Sequence, residues 1–390
     1  MLKKYFPGDN ALSFIYIILV LASLLTVFSA TESMAILHDS MTRYFLKHFF
    51  MIIAGVVTVL VLQRVHYKYH YLFAYPLLVI AIVLLALTLV MGVSINSASR
   101  WLVIPGTGFT FQTSDFAKYA LVNFLAARIF RLGDNIKIFK KFMLNMILPT
   151  LVVVMLIMPA NLSTALLVGV VAMTMMFVGG ARFKHLLFVG VLGLLSGGLF
   201  IFLAPKLLPN TRVATWEKRI EAFLSDEKKN TAEDYQAIQA KIAIATGGVI
   251  GRGPGNSAQK SVLPHPDSDF IFAIILEEYG VVGGIIVIAM YILIFQRLYA
   301  HFRKKKELTY GLYLQLGITL MIVFQAFINI GVAVGIFPVT GQPLPLVSMG
   351  GSSFLMTSIA YGILLSTTID WKKRNEERKE LKTEKNESNY

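Results

Sequence analysis

Several acidic residues border apolar segments, where a carboxylate is partly withdrawn from water and can take part in proton transfer. Asp269 is the last polar residue before the apolar run 270–276. It could serve there as a general base, but an aspartate at a helix start is also a common N-cap, and the local pattern alone favours capping. Glu277 and Glu278 follow that run. Adjacent residues point to different sides of a helix, so at least one of them should face the protein interior, paired or protonated.

A second polar group stands at the start of another apolar segment, at residues 112–118. Asp115 and Lys118 would share one face of a helix and could form an ion pair. Two interpretations remain open, a structural bridge that orients the helix and a part of a substrate site. Gln325 and Asn329 would also share a helix face, and hydrogen bonding between helices explains them more simply.

The glycine-rich stretch 247–256 invites comparison with nucleotide-binding loops. No strand pattern precedes it and its spacing is not G-x-G-x-x-G, so that function is rejected. Backbone donors in such a turn could contact a pyrophosphate, and a flexible loop is the alternative.

These polar groups are embedded in a strongly apolar chain. Of its 390 residues, 56% are hydrophobic and 15% are charged, whereas soluble domains carry about 25% charged residues. The absence of cysteine excludes disulfides, thiolate metal sites and cysteine nucleophiles. The net charge of +14 is concentrated between the apolar runs, which is typical of cytoplasmic loops and argues against nucleic acid as a partner.

The apolar runs predict an all-α polytopic membrane protein with ten transmembrane helices. The runs are 12–30, 46–63, 71–92, 114–130, 142–159, 161–179, 184–204, 269–296, 308–336 and 349–369. Asp115, Lys118 and Arg128 interrupt the fourth run. The first run is expected to be a retained helix and not a cleaved signal peptide.

Lysine and arginine are unevenly distributed among the connecting segments. They are abundant at the N-terminus, after the even-numbered spans and in the tail, whereas the short loops on the other side hold only Arg43, Lys47 and Arg100. The positive-inside rule therefore places both termini in the cytoplasm. We expect one membrane domain, 1–370, followed by a charged, disordered cytoplasmic tail, 371–390.

One extracytoplasmic loop, 205–268 between spans seven and eight, is far longer than the others. Loops of this length are usually either functional or disordered. Amphipathic patterning at 214–224 and 232–246 predicts short helices lying on the membrane surface.

These sequence blocks resemble those of the SEDS family of shape, elongation, division and sporulation proteins over nearly the whole chain. The resemblance is carried by residues 99–102 with 111–118, 247–260, 263–280, and 329–345 with 348–353. There are departures from the family pattern. Asp115 stands in place of a glutamate, the first acid after Leu263-Pro264 is missing or shifted, and Asn161 replaces an aspartate.

The resemblance implies a peptidoglycan glycosyltransferase that polymerises lipid II, an undecaprenyl-pyrophosphate-linked disaccharide pentapeptide, on the outer face of the cytoplasmic membrane. It maps the family's catalytic carboxylate onto Asp269, which would be the base for the attacking sugar hydroxyl. Substrate contacts are expected from Lys118, Asp115, Arg100, Arg219, Arg252, Lys260, Gln112 and Ser352. The cations in this set would bind the pyrophosphate. A divalent cation, Mg²⁺ or Mn²⁺, would be compatible with this chemistry, and no organic cofactor is expected.

The resemblance also implies partners, namely a class B penicillin-binding transpeptidase and other membrane proteins of cell division. The region 348–352 is closer to division-type than to elongation-type members, which predicts a location at the septum. A lipid II flippase and a non-catalytic division scaffold remain alternatives. The flippase is less favoured, because the polar residues cluster in the outer half of the spans and do not form a path across the bilayer.

The predicted topology can be tested with cysteines introduced into this cysteine-free chain and a membrane-impermeant thiol reagent. In intact spheroplasts a cysteine replacing Asn230 should be labelled and one replacing Glu380 should not, because the basic bias puts them on opposite sides. Labelling at 380 together with protection at 230 would contradict the topology. Lysed spheroplasts, in which both positions react, provide the control.

Overall fold

The computed structural model describes residues 7–38, 41–95, 98–103, 110–207, 232–263, 267–303 and 308–387. Within these ranges the chain is mostly helical. Its helices in chain order are α1 Asn10–His38, α2 Met41–Leu62, α3 Lys68–Leu72, α4 Ala74–Met91, α5 Thr113–Leu132, α6 Phe139–Phe142, α7 Leu148–Ile157, α8 Leu162–Val178, α9 Phe183–Leu207, α10 Ala232–Gly247, α11 Ile271–Arg303, α12 Tyr310–Ala333 and α13 Ser352–Glu387. Shorter helical turns lie at Gly133–Lys137, Met143–Ile147 and Gln259–Ser261.

Helical structure overlaps every one of the predicted spans, although some predicted ends are not helical. Among the described residues, 7 helical segments are long and apolar enough to cross a membrane: Asn10–Ala30, Phe45–Leu62, Ala74–Met91, Phe139–Ile157, Ile271–Arg303, Tyr310–Ala333 and Ser352–Ile369. The apolar parts of α8 and α9 are shorter, and α5 contains both Asp115 and Lys118. A mostly helical polytopic fold is therefore confirmed, whereas the count of ten spans stays a prediction.

The expectation of a purely helical fold was wrong in one region. A three-stranded antiparallel sheet joins α4 to α5, in the order β1 Val93–Ile95, β2 Ala98–Val103 and β3 Thr110–Gln112. Trp101 pairs with Gln112 and Val103 pairs with Thr110. These strands are short runs of β-branched and aromatic residues, which a search for long apolar segments does not detect. The sheet brings Arg100 and Gln112 to the N-terminal end of α5.

Helix α12 lies in the middle of the helical bundle. Its apolar window is 83% buried, and it packs against α5, α8, α11 and α13. A helix that is apolar on all sides belongs in the interior of such a bundle. Its buried polar side chains, Gln315, Gln325 and Asn329 among them, must find partners on neighbouring segments, because a membrane interior offers no water.

The described part of the long loop packs lengthwise against α11. Ala243 of α10 belongs to one buried cluster with Phe270 and Ile274. Gly247, at the end of α10, approaches the backbone of Leu276. The two helices therefore run side by side in the same direction. The surface helix expected at 232–246 is a helix, but it buries its small residues against a spanning helix and does not lie on the membrane surface.

Helix α11 is kinked at Gly280, where φ is 65° and ψ is −168°. Residues 247–261, here called the glycine-rich segment, fill the opening. The amides of Arg252 and Gly253 donate to the carbonyls of Glu277 and Glu278, each at 2.9 Å. Irregular backbone within a membrane is stable only where its polar groups find partners inside the protein. The segment supplies those partners at the kink.

Two other predictions concern the C-terminal tail and the first helix of the long loop. Helix α13 continues through Glu387, so the expectation of a disordered tail over 371–390 does not hold as far as residue 387. The tail sequence contains neither glycine nor proline and consists mostly of good helix formers, which explains its continuation of the helix. The helix expected at 214–224 lies outside the described residues.

A buried ionic cluster joins four helices at the end of α11 that is remote from Asp269. Arg297 donates to both carboxylate oxygens of Asp9, with Nε to Oδ1 at 3.2 Å and Nη2 to Oδ2 at 2.5 Å. Nε2 of His301 lies 3.2 Å from Asp9 Oδ2, and the side chain of Gln315 contacts Nδ1 of His301. The amide of Asp9 donates to the hydroxyl of Thr368 at 2.9 Å. The cluster therefore fixes α1, α11, α12 and α13 to one another.

Burial opposes ionisation of Asp9, but the hydrogen bonds from His301 and Arg297 prevail and hold the pKa of this carboxyl well below its usual range. The charged form therefore stabilises the folded protein above pH about 4. That contribution is lost only as the pH falls below the ordinary carboxyl range.

Asp9→Asn should lower the thermal stability of the purified protein. The amide keeps the size of the side chain but leaves Arg297 and His301 without their anionic partner, which costs roughly 1–3 kcal/mol. Asp134→Asn is the matched control, because the ion pair of Asp134 with Lys137 is exposed and exposed pairs contribute little. Equal melting temperatures for Asp9→Asn and Asp134→Asn would show that the cluster does not stabilise the bundle.

Candidate functional site

The turn that precedes α11 is held in place by the segment between α12 and α13. The amide of Met349 donates to the carbonyl of Asp267 at 2.8 Å. The hydroxyl of Ser348 donates to the carbonyl of Ser268 at 2.7 Å. Two successive carbonyls of the turn are therefore fixed by residues far away in the sequence, which leaves the next side chain, Asp269, in a defined place.

Asp269 lies in this turn and is partly exposed. Its own carbonyl accepts a hydrogen bond from the side-chain amide of Asn329 at 2.8 Å, and its Oδ1 accepts one from the hydroxyl of Ser268 at 3.1 Å. Helix α11 begins at Ile271, so Phe270 and not Asp269 directly precedes the helix. Asp269 is therefore not the residue that directly precedes the helix, and its catalytic role stays a prediction.

Arg100 and Asp269 meet at Gly341. A Cβ atom added to Gly341 would lie 3.6 Å from Oδ2 of Asp269 and 3.7 Å from Nη1 of Arg100. Gly341 has a φ of 65°, a backbone conformation that side chains disfavour. The positive φ, and not a lack of space, is therefore what favours glycine here. The guanidinium of Arg100 offers donors to an anion bound at this place.

The backbone just before α8 holds the side chain of Arg100. Nε of Arg100 donates to the carbonyl of Ala160 at 2.8 Å. The next residue, Asn161, is buried and caps α8 by accepting from the amide of Thr164 at 3.2 Å. The side-chain amide of Gln342 reaches the hydroxyl of Thr164 at 3.3 Å. Asn161, which departs from the aspartate expected from the family resemblance, therefore has a capping role in this structure.

The predicted pair of Asp115 and Lys118 forms in the interior. Nζ of Lys118 lies 2.8 Å from Oδ1 of Asp115, and both side chains are 4% exposed. The same ammonium donates to Oε1 of Gln325 at 2.8 Å, and the amide of Gln325 donates to the carbonyl of Pro343 at 2.9 Å. The pair thus braces the segment that carries Gly341, and the interhelical role expected of Gln325 agrees with these contacts.

Gln112 and Ser352 also come together. The amide of Gln112 donates to the hydroxyl of Ser352 at 3.1 Å, and its side chain donates to the hydroxyl of Ser114 at 3.1 Å. These bonds tie the end of β3 to the start of α13. Both residues therefore frame the same end of the bundle as Asp269.

Arg252 and Lys260 lie on the glycine-rich segment. Nη1 of Arg252 is 3.3 Å from Oε1 of Glu277, and Nζ of Lys260 donates to the carbonyl of Gly255 at 2.7 Å. Glu277 is eight residues beyond Asp269, about 12 Å along a helix. The structure thus places the Arg252 side chain beside Glu277, and its contact with substrate stays a prediction, as does that of Lys260. Arg219 lies outside the described residues.

Several residues that build the site were missed by sequence reasoning. Gly341 and Gln342 stood in a recognised block, but the approach of Gly341 to Asp269 depends on a close contact that sequence does not reveal. Ser348 was assigned no role, although it fixes the turn at Ser268. The only usable signal was the concentration of proline, glycine and polar residues at 338–351, which indicates irregular backbone between two spans.

Comparisons with known proteins agree with this architecture. The family model FTSW_RODA_SPOVE, described as a cell cycle protein, matches residues 10–373. The probable peptidoglycan glycosyltransferase FtsW of Trichlorobacter lovleyi is 33% identical over 369 residues, which cover 93% of this chain and 94% of that protein. Stage V sporulation protein E of Bacillus subtilis is 32% identical over 94% of this chain and 98% of that protein.

Solved structures show the same fold. A chain from a peptidoglycan synthase complex that coordinates polymerization and crosslinking superposes with a TM-score of 0.74 and 28% identity, covering 93% of this chain and 98% of that one. The rod shape determining protein RodA of Thermus thermophilus superposes with a TM-score of 0.64 and 26% identity, covering 93% and 97%. The chain belongs to the FtsW/RodA/SpoVE family of cell cycle proteins.

Proposed function

We propose that this protein is a peptidoglycan glycosyltransferase that polymerises lipid II on the outer face of the cytoplasmic membrane. The observation that carries the proposal is the meeting of Asp269 and Arg100 at Gly341, on a turn fixed through its backbone. The names of the relatives support the same activity. A flippase would need a polar path across the bilayer. The described site lies at one end of the bundle, which favours a transferase over a flippase.

In the proposed reaction Asp269 accepts the proton of a sugar hydroxyl while that oxygen attacks an anomeric carbon. The new glycosidic C–O bond forms as the bond from the anomeric carbon to the pyrophosphate oxygen breaks. The undecaprenyl pyrophosphate leaves with the electron pair of that bond. Arg100 lies close enough to Asp269 to stabilise negative charge on the departing pyrophosphate, which is where charge develops in the transition state.

Lys118 contributes in this scheme from inside the protein. Its ammonium is buried, its charge is paired with that of Asp115 and it donates to Gln325. Lys118 therefore acts on the reaction through the segment that Gln325 positions, and not as a free cation. Gln112 and Ser352 would contact the head group from the neighbouring edge of the site.

A divalent cation would find few protein ligands here. Among the described residues, no group of three or more histidine, aspartate or glutamate side chains could hold a metal ion. Asp269 and the substrate pyrophosphate would have to supply the ligands together, so no step of the scheme is assigned to a metal.

We further propose ten spans with both termini in the cytoplasm, which follows from the helices at all predicted positions and from the basic bias of the inner segments. The proposed partner is a class B penicillin-binding transpeptidase, which would crosslink the glycan as it emerges. The similarity to proteins named FtsW favours septal synthesis among the possible roles. Fluorescent fusions at midcell, as opposed to the side wall, would support that location.

Asp269→Asn should abolish most of the polymerisation activity without unfolding the protein. The amide keeps the size of the side chain but cannot accept the sugar proton, and loss of a general base typically costs about 10²–10⁴-fold in rate. The measurement is polymerisation of labelled lipid II by equal folded amounts of purified protein with its transpeptidase partner. Asp267→Asn, two residues earlier in the same turn, is the matched control and should retain most activity. A near wild-type rate for Asp269→Asn would refute Asp269 as the base.

Lys118→Ala should destabilise the protein by about 3–5 kcal/mol, because it leaves a buried carboxylate without its partner. The double variant Asp115→Leu with Lys118→Met should recover the melting temperature but not polymerisation. Lys137→Ala is the control, since it breaks an exposed pair of the same spacing. Full activity of the double variant would assign the pair a purely structural role.

A further inference from the structure

Glu277 is buried within α11, and its carboxylate is the point at which the glycine-rich segment is attached. Oε1 accepts hydrogen bonds from the amide of Ala258 at 3.0 Å and from Nη1 of Arg252 at 3.3 Å. Oε2 accepts one from the amide of Gln259 at 3.2 Å and another from the hydroxyl of Ser257. These four donors belong to the glycine-rich segment, and a fifth, the hydroxyl of Thr246 at the end of α10, reaches Oε1 at 3.4 Å. The carboxylate of Glu277 therefore binds the segment and the helix that leads into it.

This pattern excludes Glu277 from proton transfer. Its side chain is 0% exposed, and both of its oxygens already accept more than one hydrogen bond from the protein. A general base needs a free lone pair within reach of the substrate. The adjacent Glu278 accepts from the hydroxyl of Ser29 and also has backbone hydrogen bonds with Gly255 and Ser257 of the same segment, so it is not a neutral reference for Glu277.

The attached segment reaches the catalytic turn through apolar contacts. The segment leads into Leu263, which is buried in one cluster with Ala243 of α10 and with Phe270. Phe270 is the neighbour of Asp269, and its side chain is 1% exposed. A shift of the segment therefore moves the surface against which Phe270 packs, and with it the backbone that carries Asp269.

The same attachment fixes two cations. Arg252 bonds directly to Glu277. The amide of Lys260 donates to the hydroxyl of Ser257 at 3.1 Å, and this hydroxyl in turn donates to Glu277. Two of the five cations predicted to bind pyrophosphate thus depend in part on Glu277 for their placement.

We propose that Glu277 is a positioning residue for glycosyl transfer. Its carboxylate folds the glycine-rich segment onto α11, and the segment then holds the turn of Asp269 and the cations Arg252 and Lys260 in their working positions. The inference rests on the proposed function for its effect on the reaction. The attachment itself is independent of that function and can be measured separately.

The experiment combines the kinetics of lipid II polymerisation with a probe of whether the glycine-rich segment stays packed on α11. A cysteine replacing Ala243 of α10, which is 0% exposed, reports through its rate of thiol labelling whether α10 and the glycine-rich segment that follows it separate from α11. Glu277→Gln, Glu277→Asp and Ser257→Ala are made in this background, with Asp134→Asn, which removes the carboxylate of an exposed ion pair, as the control. For each variant the labelling rate is measured, together with kcat, KM and the pH profile of lipid II polymerisation with the partner present.

Glu277→Gln should lower kcat on the order of ten- to a hundredfold, because a displacement of about 1 Å at a reacting group costs up to 10²-fold. Labelling of the cysteine introduced at position 243 should accelerate, and the shape of the pH profile should stay that of the wild type. Ser257→Ala, which removes one donor, and Glu277→Asp, which keeps the charge, should show the same changes to a smaller extent. Asp134→Asn should resemble the wild type in both measurements.

Two results would overturn the proposal. Faster labelling with unchanged kcat and KM would make Glu277 a structural residue only. Lost activity with slow labelling and an altered pH profile would make it a direct participant in proton transfer. If the wild type itself failed to polymerise lipid II, the proposed function would fall, and the labelling rates would still decide whether Glu277 holds the segment.

Discussion

The end of the bundle that carries Asp269 depends on one constraint: irregular backbone inside a helical membrane bundle must find its hydrogen-bond partners within the chain. Asn329 shows how the constraint is met. Its side-chain amide donates to the carbonyls of Asp269 and Gln342, each at 2.8 Å. A single buried amide on the central helix thus joins the turn of Asp269 to the segment that carries Gly341. Similar bonds from Gln325 and Ser348 fix the same two stretches of backbone.

The buried carboxylates of the protein follow a related rule: each accepts hydrogen bonds or an ion pair from donors inside the chain. Asp115 has Lys118, Glu277 has the glycine-rich segment, and Asp9 has Arg297 at the far end of the bundle. Asp269 differs because it is partly exposed and lies beside Arg100 at a bundle end. A carboxylate that performs proton transfer has to remain accessible, whereas these structural carboxylates are enclosed with their donors.

Much of the architecture could be predicted from the sequence, because long apolar runs and the spacing of Asp115 and Lys118 are local signals. The sheet at 93–112 escaped prediction because its strands are too short to give a pattern. The course of α10 could not be predicted either, since amphipathic patterning does not distinguish a membrane surface from the side of another helix. The roles of Glu277 and Gly341 depend on contacts between segments distant in sequence, and a single chain gives no signal for such contacts.

The crossing of the glycine-rich segment over α11 limits how this sequence can change over evolutionary time. A Cβ on Gly280 would lie 2.2 Å from the carbonyl oxygen of Val249, and a Cβ on Gly251 would lie 2.2 Å from that of Glu278. The obstacle on each side is backbone, so no compensating side-chain substitution can relieve it. Neutral drift at either position is therefore blocked in single steps. Gly251 and Gly280 are therefore expected to be kept together, because either could be substituted only if the backbone of the whole crossing changed.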